Sequence, residues 1–331
     1  MTALPLPRFI QIEPVGECNL RCRMCPIQFR RDGRPHGPAA FMEFDLFTEI
    51  VRQFPDLREL QLQGLGEPLM HPRFFDMVRY ARARGVTVSV NTNLTFLTPK
   101  AAAQCIASGL SRVHASLDGA TKATYERIRV RANYHKSIRN LKRLLDERSR
   151  RRSSTPYVEI VAVAMRENLE ELPVLVEQAA AWGVDAISVQ HLCHDFREAS
   201  LPAHYRPMRA FVESQTLVTA PRAAVDDAFT RARDAADRSG IRLRLPNLDE
   251  RPARDPRGCG WPSTGAYFSF RGEIMPCCMI STPDRFNFGN VREEPFERTW
   301  NGARYGRFRA QLASGKPPDI CSSCAVYTGT F

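Results

Sequence analysis

From Phe9 to about Val189 the chain alternates short strand-like runs with helical ones, and this alternation restricts the fold more than any other feature. Strand patterns fall at Phe9–Ile12, Leu57–Leu62, Val86–Val90, Val113–Leu117, Val158–Ala164 and Ala186–Gln190. Apolar residues at helical spacing mark Phe44–Phe54, Phe74–Ala83, Ile138–Leu145 and Leu172–Trp182. Ala101–Ala107 opens after Thr98-Pro99, a helix-start signal. Strands alternating with helices predict a parallel sheet with outer helices. Right-handed crossovers curl such a sheet towards a barrel, and six units leave it open on one side. The expected fold is therefore α/β, a partial (β/α)6 TIM-type barrel. Active sites on such barrels lie at the carboxyl ends of the strands.

Nearly every strand exit is small, polar or flexible, as a wet binding site requires. The second strand leads into Gln63-Gly64-Leu65-Gly66-Glu67-Pro68 and the third into Asn91-Thr92-Asn93. The fourth ends Ser116-Leu117-Asp118-Gly119, and the fifth runs into Met165-Arg166-Glu167-Asn168. The sixth ends Gln190-His191-Leu192-Cys193-His194-Asp195. Each such residue could instead cap the helix that follows. The first exit carries Glu17-Cys18-Asn19-Leu20-Arg21-Cys22-Arg23-Met24-Cys25-Pro26, a C-x3-C-x2-C spacing. Three thiolates so placed can converge on one inorganic centre. Iron–sulfur clusters are usually held by four thiolates, so three leave one iron open to a substrate or cofactor. A structural zinc would need a fourth ligand. His36 could supply it, but lies beyond a loop with Gly33, Pro35, Gly37 and Pro38. No signal peptide precedes the cysteines, which argues against disulfides.

C-x3-C-x2-C after the first strand resembles the signature of the radical S-adenosylmethionine (radical SAM) enzymes. The resemblance implies a [4Fe–4S] cluster on Cys18, Cys22 and Cys25, whose open iron is chelated by SAM. Many members carry an aromatic residue before the third cysteine, near adenine; this chain has Met24, whose thioether can pack on a ring face. Gly66-Glu67-Pro68 resembles the motif that holds the SAM amino group. Asn91 and Asn93 sit where the family reaches towards the ribose and methionine of SAM. Ser116 and Asp118 sit where it contacts the methionine carboxylate or ribose, and Arg166 could pair with that carboxylate.

A second cysteine group follows. Cys259, Gly272 and Cys277 stand in a C-x12-G-x4-C spacing, and Cys321-Ser322-Ser323-Cys324 closes a four-thiolate set. The run Tyr267-Phe268-Ser269-Phe270 and the turn Arg271-Gly272 suggest a hairpin flanked by Cys259 and Cys277. Four cysteines alone suit a zinc ribbon equally. The spacing resembles the auxiliary-cluster region called SPASM, or its shortened form, twitch. That resemblance implies one further [4Fe–4S] cluster on Cys259, Cys277, Cys321 and Cys324, with Cys278 as a substitute ligand. Trp300-Asn301-Gly302 also resembles this region, and Cys105 reads as a small core residue. The expected organisation is a barrel over residues 1–201, a helical connecting segment over 202–257 and an auxiliary-cluster domain over 258–331.

The apolar fraction of 43% over 331 residues is enough for a buried core, and no run approaches a spanning helix. Ten cysteines without a signal sequence read as metal ligands in a cytoplasmic protein. The net charge of +11 comes almost entirely from arginine and is not concentrated on one element, so nucleic acid is an unlikely partner. Four thiolates leave the second cluster no open iron, which points to electron transfer. Similarity to twitch enzymes implies an oxidoreductase or epimerase: dehydrogenation or epimerisation of a small polar substrate, a sugar or aminocyclitol, with an external reductant such as flavodoxin or ferredoxin. Cys193, with Cys278 as its competitor, is the candidate thiol facing substrate. The alternative is a maturase of a ribosomally made peptide, although only eight residues precede the first strand and leave no room there for a leader-binding domain. Nucleic-acid modification and a non-catalytic electron carrier rank behind it.

Overall fold

The computed structural model describes residues 4–31, 40–192, 196–249 and 259–330. Six strands alternate with helices along the first part of the chain: β1 (Phe9–Ile12), β2 (Glu59–Leu62), β3 (Thr87–Thr92), β4 (Arg112–Ser116), β5 (Tyr157–Ala164) and β6 (Ala186–His191). They pair in parallel, in sequence order. The helices between them are α1 (Phe44–Arg52), α2 (Phe74–Arg82), α3 (Pro99–Ala107), α4 (Lys122–Ile128), α5 (Tyr134–Arg150) and α6 (Leu172–Trp182). Local chemistry sets several of their ends. The side chains of Thr98, Thr121 and Asn133 cap α3, α4 and α5 by accepting from a backbone N–H three residues on. Gly183, at φ +80°, ends α6 in a conformation that a side chain would strain.

The sheet is larger than six strands. Residues 202–249 form α7 (Arg206–Gln215) and α8 (Arg222–Ser239), and then β7 (Arg242–Arg244), which pairs in parallel with β6. From the C-terminal region, β8 (Gly265–Phe268) pairs in parallel with β1 on the opposite edge. β9 (Ile274–Met275) folds back on β8 as a hairpin. The C-terminal cysteines are thus built onto the barrel sheet, because all four residues of β8 are buried against it. Phe268 on β8 and Phe296 pack on Phe54, beyond α1, and Trp300 packs on Phe296. No helix among the described residues is long and apolar enough to cross a membrane.

Each central strand is two-faced. Leu60, Leu62, Val88, Val90, Val113, Ala115, Ile160, Ala162, Ile187 and Val189 are buried in the core beneath the helices. The residues between them are mostly polar and face the opposite way, because side chains alternate along a strand. Parallel strands covered on both faces read as near-continuous apolar runs. Here the inner face of the curled sheet is hydrophilic instead.

Candidate active site

The cysteine loop leaves β1 under several restraints. Buried Glu13 pairs with buried Arg30 at 2.7 Å and accepts the N–H of Leu65 at 2.9 Å. One carboxylate thereby ties the end of the cysteine loop to the turn after β2. A two-residue antiparallel ribbon, Arg21–Cys22 with Arg129–Val130, fixes the middle of the loop against the end of α4. Cys18, Cys22 and Cys25 line one cavity of about 210 Å³, together with Met24, Gly66, Glu67, Asn91, Asn93 and Ser116. Burial pushes the Cys18 thiol up to about 12, with the nearby Glu67 charge adding to the effect. Burial also raises Cys22 and Cys25. Such thiols give up their protons when a metal centre supplies the compensating charge.

The Gly64-Leu65-Gly66-Glu67 turn is packed so tightly that its glycines are steric requirements. A Cβ on Gly66 would stand 1.9 Å from the Val15 carbonyl oxygen and 2.5 Å from that of Glu17. A Cβ on Gly64 would stand 2.2 Å from Glu13 Cγ. This close approach delivers Glu67, which is 2% exposed, to the cavity wall. Its Oε1 accepts from Thr92 Oγ1 at 2.7 Å and from the Leu69 N–H at 3.1 Å, and its Oε2 accepts from the Asn93 N–H at 2.7 Å. Burial pushes the carboxyl up to about 7. Asn93 donates to Asn19 Oδ1 at 3.0 Å and towards Cys18 Sγ at 3.6 Å, so the exit of β3 is bonded to the cysteine loop.

Other expected SAM contacts stand elsewhere. Pro68 is buried at the start of a short turn, off the cavity wall. Asp118 is fully buried, with Oδ2 2.7 Å from Arg129 Nε, and Oδ1 accepts the Val163 N–H at 2.8 Å. Arg166 donates to the carbonyls of Thr216 and Thr219, at 3.1 and 2.6 Å, and so pins the segment before α8. Both side chains are committed to the protein and lie off the cavity wall. Arg129, which matched no motif, does line it.

Cys259, Cys277, Cys321 and Cys324 line one apolar pocket with Trp261, Phe308 and Leu312. Burial and then the neighbouring Cys278, Cys324, Cys321 and Cys259 raise the Cys277 thiol well above its usual value. Four thiols converging among apolar side chains are a donor set that suits a closed iron–sulfur cluster. Cys278 instead lines a different cavity, and burial pushes its thiol up to about 12. Cys193, with His194 and Asp195, lies outside the described residues.

That different cavity is the barrel lumen, about 300 Å³, which shares Gln63, Gly64, Leu65, Asn91, Val161 and Gln190 with the cysteine cavity. Its wall is an amide-rich polar surface. Gln61 donates to Asn91 Oδ1 at 3.1 Å, Arg244 donates to Ser188 Oγ at 2.9 Å, and His114 Nδ1 lies 3.1 Å from Glu159 Oε2. The His114 bond holds the Glu159 carboxyl below its usual range. Asn91 and Cys278 match named candidates and Gln63, Gly64, Leu65 and Gln190 match the expected strand exits, whereas Gln61, His114, Glu159, Ser188 and Arg244 correspond to no expectation. The signal that could have found them is the period-two polarity of runs such as Glu59-Leu60-Gln61-Leu62-Gln63 and Val113-His114-Ala115-Ser116.

A parallel open barrel with three cysteines on its first strand exit defines a class, and the family comparison agrees. The chain belongs to the radical SAM superfamily, whose model matches residues 12–179. Residues 259–325 match the SPASM iron–sulfur cluster-binding domain. The chain is thus an enzyme of that superfamily, with SAM, a [4Fe–4S] cluster and further iron–sulfur in the SPASM region as its cofactors. It is 27% identical over 337 residues to the tungsten-containing aldehyde ferredoxin oxidoreductase cofactor-modifying protein of Pyrococcus furiosus, covering 96% of this chain and 87% of that protein. It is 28% identical over 331 residues to the PqqA peptide cyclase of Xanthomonas euvesicatoria, covering 98% of this chain and 82% of the cyclase. The structure of Streptococcus suis SuiB bound to precursor peptide SuiA superposes with a TM-score of 0.70 at 16% identity, over 99% of this chain and 71% of SuiB; that likeness is one of fold.

These findings correct the expected substrate and partner. A sugar or aminocyclitol, and a small-molecule partner generally, were inferred from similarity to twitch enzymes. Of these two relatives, one is instead named for a peptide and the other for modifying a cofactor. The assignment to dehydrogenation or epimerisation falls with that substrate.

Proposed function

We propose that this protein is a radical SAM maturase that modifies a ribosomally made peptide at a C–H bond. The observation that carries this reading is the similarity to a PqqA peptide cyclase over 98% of this chain and 82% of the cyclase. Cys18, Cys22 and Cys25 would hold the first cluster, and Glu67, Asn91, Asn93 and Ser116 would orient SAM against it. Cys259, Cys277, Cys321 and Cys324 would hold the second cluster. When bound, SAM and the reduced cluster would supply the radical chemistry for removing hydrogen from a C–H bond.

The protein's own groups determine what that radical meets. The two cavities share part of their walls, so SAM held on Glu67, Asn91, Asn93 and Ser116 would lie beside the lumen. The side-chain amides of Gln61, Gln63, Asn91 and Gln190 offer both donors and acceptors, which suits a peptide group and its polar side chains. Gly64 and Leu65 line both cavities. Cys278 and the His114–Glu159 pair stand on the lumen wall, where a bound peptide residue would touch them.

The test is anaerobic turnover of the reconstituted enzyme with SAM, dithionite and, separately, short peptides encoded beside its gene or a panel of aminocyclitols and sugars. The expected result is 5′-deoxyadenosine formation stimulated by a peptide whose mass changes. Conversion of a small molecule, with every peptide recovered unchanged, would refute the reading.

A further inference from the structure

We infer that Arg129, held in place by Asp118, raises the reduction potential of the cluster on Cys18, Cys22 and Cys25 by placing its charge on the Cys22 sulfur. The inference rests on the family assignment and is independent of the substrate proposed above.

Arg129 is held twice. Its backbone pairs with Cys22 in the two-residue ribbon, and the Arg23 N–H bonds the neighbouring Ile128 carbonyl at 2.9 Å. Its guanidinium has Nε 2.7 Å from Asp118 Oδ2 and Nη1 3.9 Å from Cys22 Sγ. Both partners are buried, Asp118 completely and Arg129 to 8% exposure. An arginine stays charged in such a setting.

The other arginines of the loop are spent elsewhere. Arg21 donates to the carbonyls of Cys18 and Leu20, and Arg23 pairs with Glu167 at 2.9 Å. Among the described residues, Arg129 is the guanidinium bonded to a sulfur of this loop. Asp118 is in turn fixed by the Val163 N–H on β5 and, through its carbonyl, by Asn168 Nδ2 at 2.7 Å. Asp118 therefore fixes the guanidinium and also sets its own carboxylate near the cluster, where its charge opposes reduction; Asp118→Asn keeps an acceptor for Arg129 and removes that charge.

Reduction adds an electron to the cluster, so a fixed cation at a ligand sulfur favours the reduced state and a nearby anion opposes it. The two residues should therefore move the equilibrium in opposite directions. A simple loss of local structure would not reproduce that pattern.

The experiment is a redox titration of the reconstituted holoenzyme without SAM, followed by electron paramagnetic resonance. The first cluster's signal is the one that changes when SAM is added afterwards. At a fixed potential, Arg129→Gln should lower its reduced-to-oxidised ratio by about tenfold, the scale of one hydrogen bond to a charged group. Arg129→Lys should keep most of the ratio, and Asp118→Asn should raise it, all at unchanged iron content. If Arg129→Gln fails to bind iron, Asp118→Asn decides: a raised ratio sustains the inference. An unchanged ratio in Asp118→Asn, or a shift in the same direction for both residues, would overturn it.

Discussion

Replacing Glu67 by glutamine gives the sharpest view of the SAM site. The carboxylate already accepts three hydrogen bonds, from Thr92 Oγ1 and from the N–H groups of Leu69 and Asn93. Glutamine keeps one acceptor oxygen and presents an NH2 where the other stood. If the oxygen stays towards Thr92 and Leu69, the NH2 meets the Asn93 N–H, donor against donor. The substitution also removes the charge that would pair with the SAM amino group. A hydrogen bond to a charged group is worth about 1.5–3 kcal/mol, so SAM affinity should fall by about tenfold to about a hundredfold. Calorimetry on anaerobically reconstituted protein reads this directly, with iron content as the control. The pH dependence supplies a second arm. The folded Glu67 pKa of about 7 lies above the ordinary 4.5, so the buried group binds a proton until pH 7. Its ionisation opposes folding: the protein without SAM should lose stability as pH rises from about 4.5 to about 7, and level off above that. A cationic amino group prefers the ionised form, so SAM binding should weaken as pH falls below about 7. Glu67→Gln should flatten both trends. Unchanged affinity in Glu67→Gln with iron retained would reduce Gly66-Glu67-Pro68 to a structural turn.

Further outcomes follow from the same geometry. Changing Cys18, Cys22 and Cys25 together to alanine should abolish SAM cleavage and halve an iron content of about eight per chain, measured by iron assay. Changing Cys321 and Cys324 should remove the other half and leave some cleavage; zinc at this site in anaerobically purified protein would contradict the assignment. Gly66→Ala should disrupt SAM binding, because its Cβ would meet the Val15 carbonyl at 1.9 Å; wild-type affinity would show that the loop can yield. Glu159→Gln should leave SAM binding intact while slowing peptide modification, and equal loss of both would place Glu159 in the fold rather than the lumen.

Much of this arrangement is legible in the chain because it is local. C-x3-C-x2-C lies within a single loop, and alternating strand and helix patterns carry through to β1–β6 and their helices. The strand β7 was missed because its three residues, Arg242-Leu243-Arg244, carry no apolar run; its place is set by pairing with β6. α4 was missed for a related reason, having only seven residues and few apolar ones. Arg129 and Asp118 illustrate the deeper limit. Asp118 sits on a strand exit, where polar residues reach ligands, yet it faces Arg129 and the Val163 N–H. Nothing local distinguishes a carboxylate that meets solvent from one that meets a buried arginine. Arg166 shows the same ambiguity, resolved by the Thr216 and Thr219 carbonyls. The lumen was readable in principle, since each polar residue alternates with an apolar one, but only when the strands are compared side by side.

The central claim is that hydrogen is taken from a peptide lying in the lumen beside SAM. Turnover with a peptide substrate deuterated at carbon, followed by mass spectrometry of the nucleoside product, tests it most directly. The account predicts deuterium in the 5′-methyl group of 5′-deoxyadenosine, together with a modified peptide. 5′-Deoxyadenosine free of deuterium, formed while the peptide is modified, would contradict it.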